Sequence, residues 1–215
     1  MENIILQILI LIIFLTTVFL NSTKKNLTAV ALYGVQSLTV TLILLFSFFE
    51  KRSWLLLLVI LLTLAVKSII APFFFSHLIK KHQLRFSANT YLNLPFTLLS
   101  IATLTILAHS NLFISLTSIM EDNKKMIAMT IAIILISFFI IINRKGVISQ
   151  MIGVLSLENG ILSFAIFSGL EQAPALQIGI IFNIFIWIVI ATIFASMIYK
   201  QFGSLDSTQM KLLKD

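Results

Sequence analysis

The sequence predicts an all-α, polytopic transmembrane helical bundle of about seven helices, with the N-terminus outside and the C-terminus cytoplasmic. Three observations predict it. The 215 residues are 59% hydrophobic and only 11% charged, and their mean hydropathy is +1.08. Apolar runs long enough to span a bilayer recur along the chain. The basic residues between those runs fall mostly on alternate loops.

Residues 3–20 are the first apolar run. A signal peptide is the competing reading, but Glu2 stands where a basic segment is required and no small-x-small cleavage site follows. The second span is expected over 28–49, with Tyr33 near a boundary and Gln36 and Ser37 inside. The third runs from Trp54, an interfacial anchor, to about Leu78. It carries Lys67 at mid-depth and Pro72 five residues later. Proline has no N–H for the carbonyl of Ser68, so a kink is expected just beyond Lys67. The fourth span is expected over 89–109, with Pro95 in its first turns. Residues 110–125 either extend that helix, lie on the membrane surface or form a loop. The remaining spans are 126–142, 147–170 and 175–199, and the tail 200–215 is polar.

Seven spans place Lys24, Lys25, Lys80, Lys81, Arg85, Arg144, Lys145, Lys200, Lys211 and Lys214 on one side of the membrane. Lys51, Arg52, Lys124 and Lys125 fall on the other. The positive-inside rule makes the richer side cytoplasmic. The net charge of +7 is thereby explained by the anionic leaflet and calls for no nucleic acid. The lack of cysteine excludes disulfides, iron–sulfur clusters and thiolate metal sites.

Only Glu158 and Lys67 are formally charged within the apolar spans. Glu158 sits about 16 Å from either end of its helix, near the centre of a hydrocarbon core about 30 Å thick. A charge there costs roughly 3 kcal/mol on insertion scales, so it has a partner, a hydrated pocket or a task. Both residues are candidate proton-relay groups; the plainer reading is a structural hydrogen bond inside the bundle. Their depths permit them to pair, although nothing in the sequence puts their helices side by side. Asn159 can hydrogen-bond across helices. Gly153 and Gly160, seven residues apart, mark one face for close helix approach. His77 and His109 fall at helix ends. There is no phosphate loop, catalytic triad or haem-type histidine pair, and no cofactor is called for.

Residues 126–215 resemble the small K subunit of respiratory complex I and its relatives in cation/proton antiporters. The resemblance rests on the basic turn Arg144-Lys145-Gly146, on Ile152-Gly153 ahead of a buried glutamate, on Asn159, and on the tail from Gly203-Ser204-Leu205-Asp206 to Leu212-Leu213-Lys214. With four added helices in residues 1–125, the chain resembles membrane component E of hydrogenase-4 and formate-hydrogenlyase-like complexes, which carries the same kind of Glu-Asn-Gly motif in its sixth helix. Aligned without gaps, the family glutamate falls on Leu155, three residues before Glu158. A second family glutamate, in the last helix, has no counterpart in Asn183-Ile184-Phe185-Ile186-Trp187-Ile188, where Asn183 is the nearest polar group and a supporting one. Lys67 is the candidate substitute. The resemblance implies a non-catalytic subunit in the inner (plasma) membrane, contributing a buried glutamate to a proton or ion axis. Its partners would be antiporter-like subunits and subunits that anchor a quinone or hydrogenase module. A stand-alone transporter and a purely structural scaffold are the alternatives.

Overall fold

The computed structural model describes residues 2–51, 54–81, 90–113, 115 and 123–168, with positions 178–179, 182, 185–186, 189, 192–193 and 196. Helices account for almost all of the described residues, and none of these belongs to a strand. Helix α1 (Glu2–Ser22) turns through Thr23-Lys24-Lys25 into α2 (Asn26–Lys51). The third predicted span is a continuous rod of three segments: α3 (Trp54–Thr63), a π-helical segment (Leu64–Ile70) and α4 (Ala71–Lys81). Then come α5 (Leu94–Ala108), a 3₁₀ turn (Asn111–Phe113), α6 (Lys124–Asn143) and α7 (Val147–Phe167). Five helices among the described residues are long and apolar enough to cross a membrane. The expected span 175–199 lies mostly outside the described residues, as do Asn183, Arg85 and the tail.

Two boundaries differ from expectation for local reasons. The fourth span starts at Leu94 rather than 89, because Pro95 sits in the first turn and Asn93 caps it, its side chain accepting from Phe96 N–H at 3.2 Å. At 15 residues, α5 is about 22 Å long and falls short of the hydrocarbon thickness by itself. In the third rod, a local widening of the helix falls where the kink is expected. Pro72 leaves the carbonyl of Ser68 without its donor, and just upstream the ladder opens so that Ala71 N–H bonds Val66 O, five residues back. Pro72 itself packs on α2, where its Cγ lies 3.5 Å from the Cβ position of Gly34.

The interior is stratified. One apolar cluster gathers Leu9, Ile13, Val40, Leu44, Ile60, Ile133 and Leu162. A second, toward the other membrane face, gathers Leu20, Val30, Tyr33, Phe75, Ile79, Ile148 and Ile152. On α1, α2, the third rod, α6 and α7 the residues between them include buried polar ones: Thr17, Gln36, Ser37, Thr63, Lys67, Ser137, Ser156 and Asn159. By residue count, Gln36, Lys67 and Asn159 lie about 12–23 Å from each end of their helices, whereas Thr17 and Ser137 lie about 8–9 Å from the nearer end. Both clusters draw side chains from residues 1–125 and from 126–215, so the two predicted units share one core.

Helices α6 and α7 pack most closely, and their contact runs along the predicted glycine face. A Cβ on Gly153 would stand 2.9 Å from Ile141 Cγ1 and 3.0 Å from Ile140 Cγ2. On Gly160 it would stand 3.1 Å from side-chain carbons of Ile133 and Ile134 and 3.4 Å from the Ile134 backbone nitrogen. Gly153→Ala is therefore expected to cost about 1–3 kcal/mol through overpacking, read as a lowered midpoint of thermal unfolding in detergent. An unchanged midpoint would mean the two helices can separate freely at this level.

Candidate functional site: a buried ion pair in a mid-membrane polar layer

The π-helical segment carries Lys67 into the bundle, with Val66 and Lys67 its buried residues. There the Lys67 ammonium meets the Glu158 carboxylate, Nζ to Oε1, at 2.8 Å. The Lys67 side chain is 1% exposed and that of Glu158 20%. The same ammonium donates to Asn159 Oδ1 at 3.2 Å. Lys67 thus enters the groove between two consecutive residues of α7, one wholly enclosed and one at the rim of the described bundle. A pairing that the sequence left open is made, and the two formally charged residues of the apolar spans neutralise each other.

Asn159 connects the pair to the rest of the polar layer. Its amide nitrogen donates to Gln36 Oε1 at 3.3 Å and to Ser37 Oγ at 3.1 Å. Gln36 Nε2 donates in turn to Thr17 Oγ1 at 2.8 Å and Ser156 Oγ at 3.0 Å. Ser156 and Ser137 hydroxyls lie 2.9 Å apart. Ser163 Oγ donates to the backbone carbonyl of Asn159 at 2.8 Å. Side chains from α1, α2, the π segment, α6 and α7 therefore form one connected network. In a low-dielectric setting such a network is stable only when its members satisfy each other. Thr17, Ser137, Ser156 and Ser163 carried no sequence signal individually, since hydroxyls are common in membrane helices.

A second buried charge closes one end of the bundle. Arg144, in the basic turn that the sequence marks, is only 2% exposed. Its Nη2 donates to the carbonyls of Leu20 at 2.6 Å and of Asn21 and Thr23 at 2.8 Å. These are carbonyls at the α1 C-terminus that have no partner within the helix, at the negative end of its dipole. Burial pushes the Arg144 guanidinium down to about 10, which leaves it charged at neutral pH. Neighbouring Lys145 places its ammonium 4.9 Å from the Tyr91 ring centroid. Asn143 ties in the chain before α5, accepting from Leu92 N–H at 2.9 Å and donating to Thr97 Oγ1 at 3.2 Å.

His77 and His109 are exposed at helix ends, as expected. His109 Nδ1–H donates to the Thr105 carbonyl of its own helix at 2.9 Å. Among the described residues, no group of three His, Asp or Glu side chains could hold a metal ion. No protein-family model, no curated protein and no solved structure matches the chain. The site sets one carboxylate and one amine against each other inside the bundle, with an enclosed amide beside them.

Proposed function

We infer that the chain is a non-catalytic integral membrane subunit of a complex I-like or group 4 hydrogenase-like assembly. In this reading Lys67 and Glu158 lie on a proton- or ion-translocation axis driven by redox chemistry in partner subunits. The observation that carries it is the Lys67–Glu158 pair at mid-depth, with Glu158 at the rim of the described bundle. A purely structural pair gains little from leaving part of its carboxylate side chain exposed in a membrane. A relay group needs one side open for protons or neighbouring charges to reach it.

The finer reading follows from the sequence. The chain has seven spans with the N-terminus outside and the C-terminus in the cytoplasm, as a multi-pass protein of the plasma membrane. Among the described residues, Lys24, Lys25, Lys80, Lys81, Arg144 and Lys145 cluster toward one face, which supports that orientation. The resemblance of Glu158-Asn159-Gly160 to the hydrogenase-4 component E motif supports antiporter-like and module-anchoring membrane subunits as partners. The redox centres belong to those partners. When a proton reaches Glu158, its carboxylate becomes neutral and the hold on the Lys67 ammonium is released. Asn159 Oδ1 keeps the ammonium anchored until the proton leaves and the pair re-forms. The uncompensated lysine charge is what a neighbouring subunit would sense.

Glu158→Gln keeps an oxygen within reach of the ammonium and removes the proton carrier. The assembled complex carrying it is expected to retain redox turnover while losing most of its proton translocation, measured by quenching of a pH-sensitive dye in sealed vesicles. Wild-type coupling in that variant would exclude the relay role. If mild-detergent purification recovered the chain alone and monodisperse, a stand-alone transporter would replace the subunit reading.

A further inference from the structure

We propose that Thr17, Gln36 and Asn159 form a polarity-setting relay, in which Thr17 and Gln36 are positioning residues for an ion pair they do not touch. The polarity starts at a backbone carbonyl. Thr17 Oγ1 donates its single proton to Ile13 O at 2.7 Å. Toward Gln36 it can therefore only accept, which obliges Gln36 to present its nitrogen, at 2.8 Å. The Gln36 oxygen is then turned toward α7. Asn159 must answer it with nitrogen, at 3.3 Å, and the same nitrogen donates to Ser37 at 3.1 Å. The only orientation left for Asn159 aims its oxygen at Lys67, where it accepts from Nζ at 3.2 Å.

An ammonium has donors and no acceptor. Reversing either amide sets two donors or two acceptors against each other at residues that are fully enclosed. Gln36, Asn159 and Lys67 are each 0% exposed. The relay thus fixes where the Lys67 ammonium rests and, through it, the geometry presented to Glu158 Oε1, 2.8 Å away. A side chain on α1, in the first apolar run, thereby governs an ion pair between the third rod and α7.

The inference takes the Lys67–Glu158 pair as the working group, so the two ideas need separate readouts. The relay is read in the infrared carboxyl signature of Glu158, obtained as the difference between each purified full-length protein and its Glu158→Gln counterpart. Thr17→Val exchanges a hydroxyl for a methyl of the same shape, and Gln36→Met keeps the chain length without either polar atom. Both are expected to displace the Glu158 band. Thr17→Ser, which keeps the hydroxyl, is expected to leave it at the wild-type position. So is Thr130→Val, which removes an equally buried hydroxyl bonded to Ile127 O on α6. An unmoved band in Thr17→Val or in Gln36→Met, whichever is recovered folded, overturns the relay. An equal displacement by Thr130→Val overturns it too. A displaced band together with wild-type coupling in Glu158→Gln would leave the relay standing and defeat the functional reading.

Discussion

In a Lys67→Met variant the folded protein is expected to lose about 3–5 kcal/mol of stability, the range for breaking a buried ion pair by removing one partner. Methionine matches the lysine stem in length and shape, so little packing is lost and the effect is electrostatic. Two groups are stranded: Glu158 Oε1, 2.8 Å from the deleted ammonium, and Asn159 Oδ1, which accepts from it at 3.2 Å. Glu158→Gln alone is expected to cost less, because an amide oxygen still accepts from Lys67. The double variant, Lys67→Met with Glu158→Gln, carries no formal charge in the layer. Replacing a buried pair by neutral groups is often nearly neutral for stability, so the double variant should recover much of what Lys67→Met loses. Thermal unfolding in detergent of the four proteins closes the cycle. Strictly additive losses would mean that the pair carries no coupling energy. Proton translocation should stay absent in the double variant, since stability returns without a group that exchanges protons.

The sequence made the two charges visible because a lysine and a glutamate stand out in runs of leucine, isoleucine and phenylalanine. Their pairing was hidden because helix adjacency depends on packing between segments 91 residues apart. Depth is readable from residue counts, and rotation about the bundle is not. Pro72 located the disturbance in the third rod correctly. Its form was not legible, because a missing N–H can be accommodated by a bend or by widening to five-residue spacing, and packing of Pro72 on Gly34 accompanies the second. The glycine face of α7 was legible from spacing alone, since residues seven apart return to nearly the same side of a helix. Gln36 was legible as a polar residue inside a span. Its role was not, because that depends on a hydroxyl in α1 and an amide in α7. The fourth span was overdrawn because hydropathy does not register a cap: Thr90, Tyr91 and Leu92 pair with Asn143 and Arg144 before Asn93 and Pro95 begin the helix.

Arg144→Met is expected to be the other severe substitution, with a loss of about 3 kcal/mol or more. Two α1 carbonyls and that of Thr23 in the following turn would lose their shared donor, and each unsatisfied buried polar group costs roughly 1–3 kcal/mol, partly offset by water near the exposed turn. The residue also sits at the negative end of the α1 dipole, where a cation adds up to about 2 kcal/mol in partly buried settings. Arg144→Lys keeps the charge and three donors on a shorter, more strongly hydrated group, so its loss should fall between wild type and Arg144→Met. The local signature separates this from general damage. Hydrogen exchange should quicken first at residues 20–26, where the α1 C-terminus meets α2, and only later in α6. Because the guanidinium is enclosed, added salt should change the difference between wild type and Arg144→Met very little, as screening acts mainly on exposed charges. A variant as stable as wild type, with unchanged exchange at 20–26, would mean that water caps α1 equally well. A loss that vanished in high salt would place Arg144 among the solvated charges of the basic face. The expected outcome makes it a structural clamp, through which the turn between α6 and α7 holds α1, and with it Thr17, against the polar layer.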